Sequence, residues 1–448
     1  RLSNVVIGDP ARPDLTAKTV EVSLGYGFSG PYVSEIRADG VRLYGHFVDG
    51  QLSLGTLDKF RDPADTTPFA LPDLSVLLAD ARARIETPWG NVGAVLEGGG
   101  NLRNDFTGKL ALVAPELAAA GCSAEGVSFY GDVRVRNVRP SLSGPLRGRR
   151  LLCGDGSVAV NSPEVALDVS LAENLKSWRG TANASIAKVA AGSAEAAKLG
   201  VRTRFSGSAA RTALDVDAEM TALSALDFSA RRVELSAKAV VGHGAPKAEG
   251  HVHFAEGSAS LALRNSIARS GASLDGSPLG PLAAKATAAL SRMLANMSGS
   301  SAFSLVGDTR TARFELVAPQ LESAAGARIT SDGGSRIAWL LAAPGTAMTI
   351  EGDWIFGGGG LPSGSLALDR SANGATRGEA RFDPYVADGA RLALDPVRFS
   401  GGPEGMLRFA TRASLSGPLA DGRVDGLTVP LAGTLAPTGE IALAGGCT

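Results

Sequence analysis

Residues Ala213–Met220 have the sequence ALDVDAEM, in which apolar and acidic residues alternate from Leu214 onwards. Successive side chains of a β-strand point to opposite faces, so Leu214, Val216 and Met220 share one face while the three acidic residues share the other. The segment therefore predicts a strand with one apolar face and one solvated face.

The same period-two alternation recurs along much of the chain. It is clear in Thr19–Leu24, Val41–Phe47, Leu52–Leu54 and Val233–Val241. We expect the apolar members of these segments to lie on a common face of a sheet. The candidate residues for that face are Val20, Val22, Leu24, Val41, Leu43, Leu52, Leu54, Leu214, Val216, Met220, Val233 and Leu235.

Short turn motifs separate the alternating segments. Asp–Gly pairs such as Asp39–Gly40 and Asp332–Gly333 favour the positive φ angles of tight hairpin turns. The hexapeptide SLSGPL occurs twice, at residues 141–146 and 414–419, and we interpret it as a repeated strand-then-turn phrase. Together these features predict antiparallel strands joined in sequence by hairpins.

The length of the chain restricts how such strands can be arranged. At about 14 residues for each strand and turn, 448 residues correspond to roughly thirty strands, whereas open twisted sheets rarely exceed about ten. Several sandwiches, a closed sheet or one long curled sheet are compatible with this number. No change of composition divides the chain, so we expect one continuous elongated sheet over residues 1–448, with a secondary boundary near the proline-rich residues 61–72.

The composition argues against several classes of function. The 44 basic and 45 acidic residues give a net charge of −1, which offers no attraction for nucleic acid. Hydrophobic residues make up 44% of the chain, too many for a disordered protein, while aromatic residues make up only 5%. No run of about 18 apolar residues is present, so the sequence predicts no transmembrane helix.

One amphipathic helix is predicted at residues 281–297. A proline at its first position and a glycine after its end suit a helix start and stop. Two interpretations stay open: the apolar stripe packs on the apolar face of the sheet, or the helix caps or gates an apolar channel. A second, shorter helical turn is expected at residues 193–199. The stripe of the predicted helix comprises Leu282, Leu290, Met293, Leu294 and Met297.

Chemically reactive residues are few. Cys122 and Cys153 are a candidate disulfide, with two buried thiols as an equally open alternative, and Cys447 has no evident partner. His251 and His253 would share a strand face, but no cysteine or carboxylate pair nearby completes a metal site. No catalytic or phosphate-binding motif is found. The sequence thus predicts no enzyme activity, no metal and no cofactor.

Two N-terminal segments resemble a known family. Residues 37–60, RADGVRLYGHFVDGQLSLGTLDKF, resemble the N-terminal part of the periplasmic region in the YdbH branch of the AsmA-like proteins. Residues 71–102, which contain TPWG, are similar to the next portion of the same family. The repeated SLSGPL and the C-terminal DGRVDGLTVPLAGTL are similar to phrases common in AsmA-like repeats.

This resemblance implies both a fold and a function. AsmA-like proteins are similar to bridge-type lipid-transfer proteins, so we expect a mainly β protein whose long, curled antiparallel sheet forms an open hydrophobic groove. The candidate face residues would then contact the acyl chains of phospholipids that pass between the inner and outer membranes of a Gram-negative cell. The expected location is the periplasm, with an N-terminal inner-membrane anchor missing before Arg1. The chain is expected to continue beyond Thr448, and an outer-membrane or periplasmic partner protein is expected at the C-terminal end.

A different class of function also fits the abundance of strands. A β-solenoid adhesin, or another surface protein with a structural or interaction role, is likewise built from many short strands. Such a solenoid requires a fixed repeat period, and none is found.

Overall fold

The computed structural model describes residues 1–27, 30–48, 51–60, 71–119, 121–154, 156–225, 227–272, 280–307, 311–342, 345–387, 389–419, 422–437 and 441–444. In these residues the protein has 31 strands, two α-helices and one short 3-10 helix. The predicted class, a mainly β protein with a long sheet and one or two short helices, is confirmed. The predicted boundary near residues 61–72 falls mostly on residues 61–70, which lie outside the described residues.

The chain divides into two compact units. Unit 1 comprises Arg1–Ala218 and Val240–Gly244, and unit 2 comprises Glu219–Ala239 and Ala245–Thr448. The division falls inside two strands that follow one another in the sequence, and not in a linker.

Unit 1 holds the first fifteen strands and parts of the next two. The strands are β1 (Leu2–Asp9), β2 (Arg12–Gly27), β3 (Gly30–Asp39), β4 (Arg42–Val48), β5 (Gln51–Ser53), β6 (Ser75–Thr87), β7 (Gly90–Asn101), β8 (Phe106–Ala119), β9 (Cys122–Arg136), β10 (Arg139–Arg147), β11 (Arg150–Cys153), β12 (Val158–Asn161), β13 (Glu164–Leu171), β14 (Ser177–Ala191), β15 (Ala194–Ser208), β16 (Arg211–Ala225) and β17 (Phe228–Gly242). The 3-10 helix, Gly55–Phe60, follows β5.

Most strand pairs in unit 1 are antiparallel, as in β8–β9 and β14–β15. Two pairs differ from the purely antiparallel sheet that we expected, because β6 runs parallel to both β3 and β4. A parallel pair requires a long crossover connection instead of a hairpin. The segment between β5 and β6, residues 54–74, supplies that length.

Unit 2 holds the remaining strands and both α-helices. The elements are β18 (Lys247–Ala259), α1 (Leu261–Ala272), α2 (Gly280–Met293), β19 (Met297–Gly307), β20 (Thr311–Ser323), β21 (Arg328–Ser331), β22 (Arg336–Ala342), β23 (Gly345–Gly358), β24 (Leu361–Arg370), β25 (Thr376–Phe382), β26 (Tyr385–Ala387), β27 (Ala390–Leu394), β28 (Val397–Gly401), β29 (Leu407–Leu419), β30 (Gly422–Leu435) and β31 (Ile441–Ala444). The strand pairs resolved within this unit are antiparallel.

The helices differ from the sequence prediction in three ways. The helix predicted at residues 281–297 ends at Met293, and Met297 is the first residue of β19. The helical turn predicted at residues 193–199 is wrong, because these residues belong mainly to β15 and pair in register with β14. Helix α1 was not predicted; Ser260 caps it, since the Ser260 Oγ accepts a hydrogen bond from the backbone N–H of Leu263 at 3.1 Å.

Little of the protein forms a closed core. Only 19 of the described apolar residues are buried, and ten of them are alanines. The accessible surface is 26164 Å², whereas a compact monomer of 45.6 kDa exposes roughly 16,000 Å². A large share of the strand surface is therefore not covered by other parts of the chain.

Candidate lipid-binding faces

Unit 1 presents rows of apolar side chains on one face of its sheet. Val169 of β13 lies opposite Gly180 of β14, which in turn lies opposite Phe205 of β15. Directly opposed residues of antiparallel strands project to the same side. We call the apolar side chains of this side the apolar face of unit 1. In these three strands its other members are Val165, Leu167, Leu171, Trp178, Ala182, Ala184, Ile186, Leu199 and Val201.

Unit 2 presents a comparable face with more aromatic residues. Phe303, Phe314 and Trp339 lie on three adjacent strands, with ring centroids 6.0 Å apart for the first pair and 5.7 Å apart for the second. We call this side the apolar face of unit 2. Its members on β19, β20, β22, β23 and β24 also include Leu305, Leu316, Ile337, Met348, Ile350, Leu366 and Leu368.

The members of both faces are mostly half-buried. In β14 and β15 the apolar-face residues are partly accessible while the residues between them are exposed, so burial itself follows the period-two pattern. The inner residues of a two-layer sandwich would be covered by the facing sheet. The side chains of the protein therefore leave these two faces partly open.

Phenylalanine rings on these faces lie against glycines of neighbouring strands. A Cβ atom added at Gly180 would lie 2.9 Å from Phe205 Cζ, and one added at Gly299 would lie 2.5 Å from Phe254 Cε1. The absence of a side chain at these glycines lets the rings lie low along the sheet.

The opposite faces are solvated and carry cross-strand ion pairs. Lys109 lies opposite Asp132 in register, with Nζ and Oδ1 2.6 Å apart, and Arg398 lies opposite Glu379, with Nε and Oε2 3.1 Å apart. The hydrogen bond from Lys109 lowers the pKa of Asp132, and the hydrogen bond from Arg398 lowers the pKa of Glu379. Each exposed ion pair of this kind contributes only about 0.2–1 kcal/mol to the free energy of unfolding, but it favours the correct strand register.

The sequence-predicted face residues fall into three groups by exposure. Val233 is buried. Val22 and Leu24 are exposed, at 45% and 60%, and Leu52 is also exposed. The remaining members are half-buried, and they are Val20, Val41, Leu43, Leu54, Leu214, Val216, Met220 and Leu235.

Only some of the predicted face residues lie on strands with the expected alternation. Leu214, Val216 and Met220 occupy alternate positions of β16, and Leu43 lies in register with Ala83 of β6. Val41 precedes β4 and Leu54 follows β5, so neither is a strand residue. As contacts for acyl chains, these residues remain predictions.

The predicted helix stripe is only partly formed. Met293 is completely buried near the end of α2, and Leu290 and Leu294 are half-buried. Met297 is buried as well, but on β19. The side chain of Leu282 lies outside the described residues.

Helix α2 lies at one end of the unit 2 strands. A Cβ atom added at Gly360, in the turn between β23 and β24, would lie 3.7 Å from Ala289 Cβ. The backbone N–H of Ala259, at the end of β18, donates a hydrogen bond to the carbonyl oxygen of Leu294 at 2.7 Å.

The structure shows how the candidate cysteines and histidines are placed. Cys122 and Cys153 form a disulfide between β9 and β11, where the two residues lie opposite each other in register. Cys447 lies outside the described residues. His251 and His253 are exposed on β18, on the side away from Val252 and Phe254.

Several face residues were not predicted from the sequence, because uncharged residues separate many of them from the next apolar residue. In β14, SWRGTANASIAKVAA, the face residues Trp178, Ala182 and Ile186 alternate with uncharged polar residues as well as with arginine. The largest of these face residues are tryptophans, Trp178 in unit 1 and Trp339 and Trp354 in unit 2. Period-two spacing alone would have identified the β14 residues.

No group of three or more histidine, cysteine, aspartate or glutamate residues in the described part of the chain could hold a metal ion. Among the described helices, none has the length and apolar character needed to cross a membrane.

The structure defines a class of protein: a mainly β protein with apolar sheet faces that its own side chains leave partly open. A model of the YdbH-like family, described as intermembrane phospholipid transport protein YdbH, matches residues 1–445. This chain therefore belongs to the YdbH-like family, a family of intermembrane phospholipid transport proteins and not an enzyme family. The resemblance of residues 37–60 and 71–102 to the YdbH branch is confirmed. No curated protein matches the chain.

Proposed function

We propose that the apolar faces of units 1 and 2 carry the acyl chains of phospholipids in transit between the inner and outer membranes. The observation that carries this proposal is the half-burial of large apolar side chains on one face of consecutive strands. Phospholipid headgroups would stay in water at the strand ends, because a solvated headgroup costs nothing to leave exposed.

The energetic role of such a face is to remove a hydration barrier. Exposing one sixteen-carbon chain to water costs about 13 kcal/mol, at roughly 0.8 kcal/mol per methylene. A row of apolar side chains covers most of that hydrocarbon surface at every step. No nucleotide-binding motif is present to supply energy, so we propose passive conduction along the faces.

The family to which the chain belongs supports a proposal for its location. We propose a periplasmic location, an N-terminal inner-membrane anchor, and a partner protein of the outer membrane or periplasm at the C-terminal end. Helix α2 is proposed to cap the apolar face at its end of the unit 2 strands. Its support is the complete burial of Met293 beside the strand ends.

Photo-crosslinking at two neighbouring positions tests the proposal. Leu235 is half-buried and Ser236 is exposed, and the two side chains point to opposite sides of β17. A photoreactive amino acid at residue 235 should crosslink to radiolabelled phospholipid, while the same amino acid at residue 236 should not. Equal labelling at both positions, or none at either, would show that this face does not hold lipid.

A charge at the same position provides a second test. Leu235→Asp places a carboxylate among the proposed acyl chains, so we expect lipid loading to be lost. Ser236→Asp adds the same charge on the solvated side and should load normally. Lipid extraction followed by mass spectrometry measures both variants, and full loading of Leu235→Asp would contradict the proposal.

A further inference from the structure

Unit 1 contains a cavity of about 850 Å³ at one set of strand ends. It lies where β10 and β14 begin, β13 and β15 end, and β16 begins. Its volume falls within the usual range for small-molecule sites, about 300–1,000 Å³. The cavity therefore sits at the edge of the sheet, and its lining includes residues from both the apolar and the solvated sides of these strands.

Both apolar and basic residues line the cavity. Leu171 and Trp178 lie opposite each other in register and belong to the apolar face of unit 1. Arg139, Arg179 and Arg211 line the same cavity and are exposed, and the one acidic residue among the lining residues is Glu173. A ligand that fits must carry both hydrocarbon and negative charge.

None of the three cavity arginines forms an ion pair within the described part of the chain. Across the described residues, no carboxylate lies within ion-pair distance of Arg139, Arg179 or Arg211, whereas Arg147 and Arg377 pair with the acidic residues opposite them. In register, Arg179 faces Ser206.

The residue opposite Arg139 is itself basic, since Arg139 faces Arg136 on β9 in register. Like charges directly opposite each other are unfavourable unless an anion lies between or beside them.

We propose that this cavity binds the phosphate group of a glycerophospholipid, with the first methylenes of its acyl chains against Leu171 and Trp178. Guanidinium groups hold phosphate by bidentate, charge-assisted hydrogen bonds. The cavity thus selects lipids that carry a phosphate and sets their headgroups at the strand ends. This inference rests on the proposed function, because it requires acyl chains on the apolar face.

Calorimetric titration of the full chain with three probes tests the inference. The probes are a short-chain phosphatidylglycerol, the matching diacylglycerol without phosphate, and inorganic phosphate. The test variant replaces Arg139, Arg179 and Arg211 with glutamine. The control variant replaces Arg134, Arg202 and Arg204, which are exposed but do not line the cavity, with glutamine.

We expect the test variant to bind phosphatidylglycerol at least about tenfold more weakly, since each lost hydrogen bond to a charged group reduces affinity. The control variant should stay within about twofold of the unmodified chain, a change too small to represent a lost contact. Diacylglycerol should bind the unmodified chain and the test variant equally, which also shows that the variant is folded. If the triple variant does not fold, the single variant Arg211→Gln gives the same comparison.

Three results would overturn the inference and separate it from the proposed function. Unchanged phosphatidylglycerol affinity in the test variant rejects the headgroup site, while continued diacylglycerol binding leaves the proposed function standing. Loss of inorganic phosphate binding alone would show a site for the free ion and not for a lipid. Failure of both lipids to bind the unmodified chain would reject the proposed function itself.

Discussion

Asp80 stabilises the parallel pairing of β4 and β6 in the unit 1 sheet. It has a positive φ of 48° at an irregularity in β6, and its Oδ2 accepts a hydrogen bond from Arg42 Nη2 of β4 at 2.7 Å. The Arg42 guanidinium also donates to the Asp80 carbonyl oxygen at 2.8 Å. Asp80 thereby links the two strands of a parallel pair.

Low pH should weaken the interaction between Asp80 of β6 and Arg42 of β4. Hydrogen bonds from Arg42 and then Arg82 lower the pKa of Asp80 below its ordinary value of 3.8. The stabilisation from the ionised carboxylate is therefore complete above that ordinary value and is lost as the pH falls below it, through the lowered pKa of the folded state. We expect hydrogen exchange of the β4 amides to accelerate over this acidic range. In Asp80→Asn the acceleration should be present already at neutral pH, and identical profiles for both proteins would contradict this role.

Some residues of the apolar faces could be predicted from the sequence, and others could not. Val216 and Leu235 were identified because charged neighbours make the alternation obvious. Trp178 and Trp339 were not, because small or uncharged residues separate most of the face residues in their strands. Val22 and Leu24 have the correct spacing but are exposed, since period-two spacing identifies a side of the strand and not what covers it.

At the scale of elements, the repeated SLSGPL has a different role from the one expected. Residues 141–146 lie entirely within β10, and residues 414–419 lie at the end of β29. In both copies the glycine has a positive φ, 158° at Gly144 and 122° at Gly417. The strand pairing shifts next to Gly417. The phrase therefore forms strand in both copies, with a shift of pairing only in the second, and sequence alone could not distinguish this from a turn because both use Gly and Pro.

This glycine should not tolerate a side chain. A Cβ atom at Gly417 would lie 2.5 Å from the carbonyl oxygen of Gly389 and 2.7 Å from Ala390 Cα, both backbone atoms. We expect Gly417→Ala to lower the free energy of unfolding by about 1–3 kcal/mol. Gly422, on the paired strand, has no atom within 4 Å of an added Cβ, so Gly422→Ala is the control. Equal thermal denaturation midpoints for the two variants would contradict the close approach.

Helix α2 depends on its largest buried side chain. Met293 is completely buried, so Met293→Ala leaves a cavity and should cost about 2–5 kcal/mol. Arg292 is exposed, so Arg292→Ala should change stability little. Hydrogen exchange of the α2 amides measures both effects. A Met293→Ala protein with unchanged protection in α2 would show that this residue does not anchor the helix.

At the scale of the whole molecule, the number of strands and most of their antiparallel pairing were predictable, and the parallel pairs were not. Roughly thirty strands were expected from residue counts, and 31 are found in the described residues. The parallel pairs of β6 depend on contacts between β3, β4 and β6, which are distant in the sequence. Alternation within one strand carries no information about such neighbours.

The excess of accessible surface connects the fold to the function. The area of 26164 Å² follows from strands that pair edge to edge while their apolar faces stay partly uncovered. In water such a surface is unfavourable unless a ligand covers it. Phospholipid acyl chains supply that cover in the proposed function.

Native mass spectrometry of the purified full chain, delipidated and then mixed with phospholipid vesicles, tests this claim most directly. We predict bound phospholipid on the unmodified chain, and much less on a variant carrying Val216→Asp and Leu235→Asp. A chain carrying Ala213→Asp and Ser236→Asp, on exposed positions of the same strands, should bind as the unmodified chain does. Lipid-free spectra for the unmodified chain, or equal lipid on all three proteins, would contradict the account.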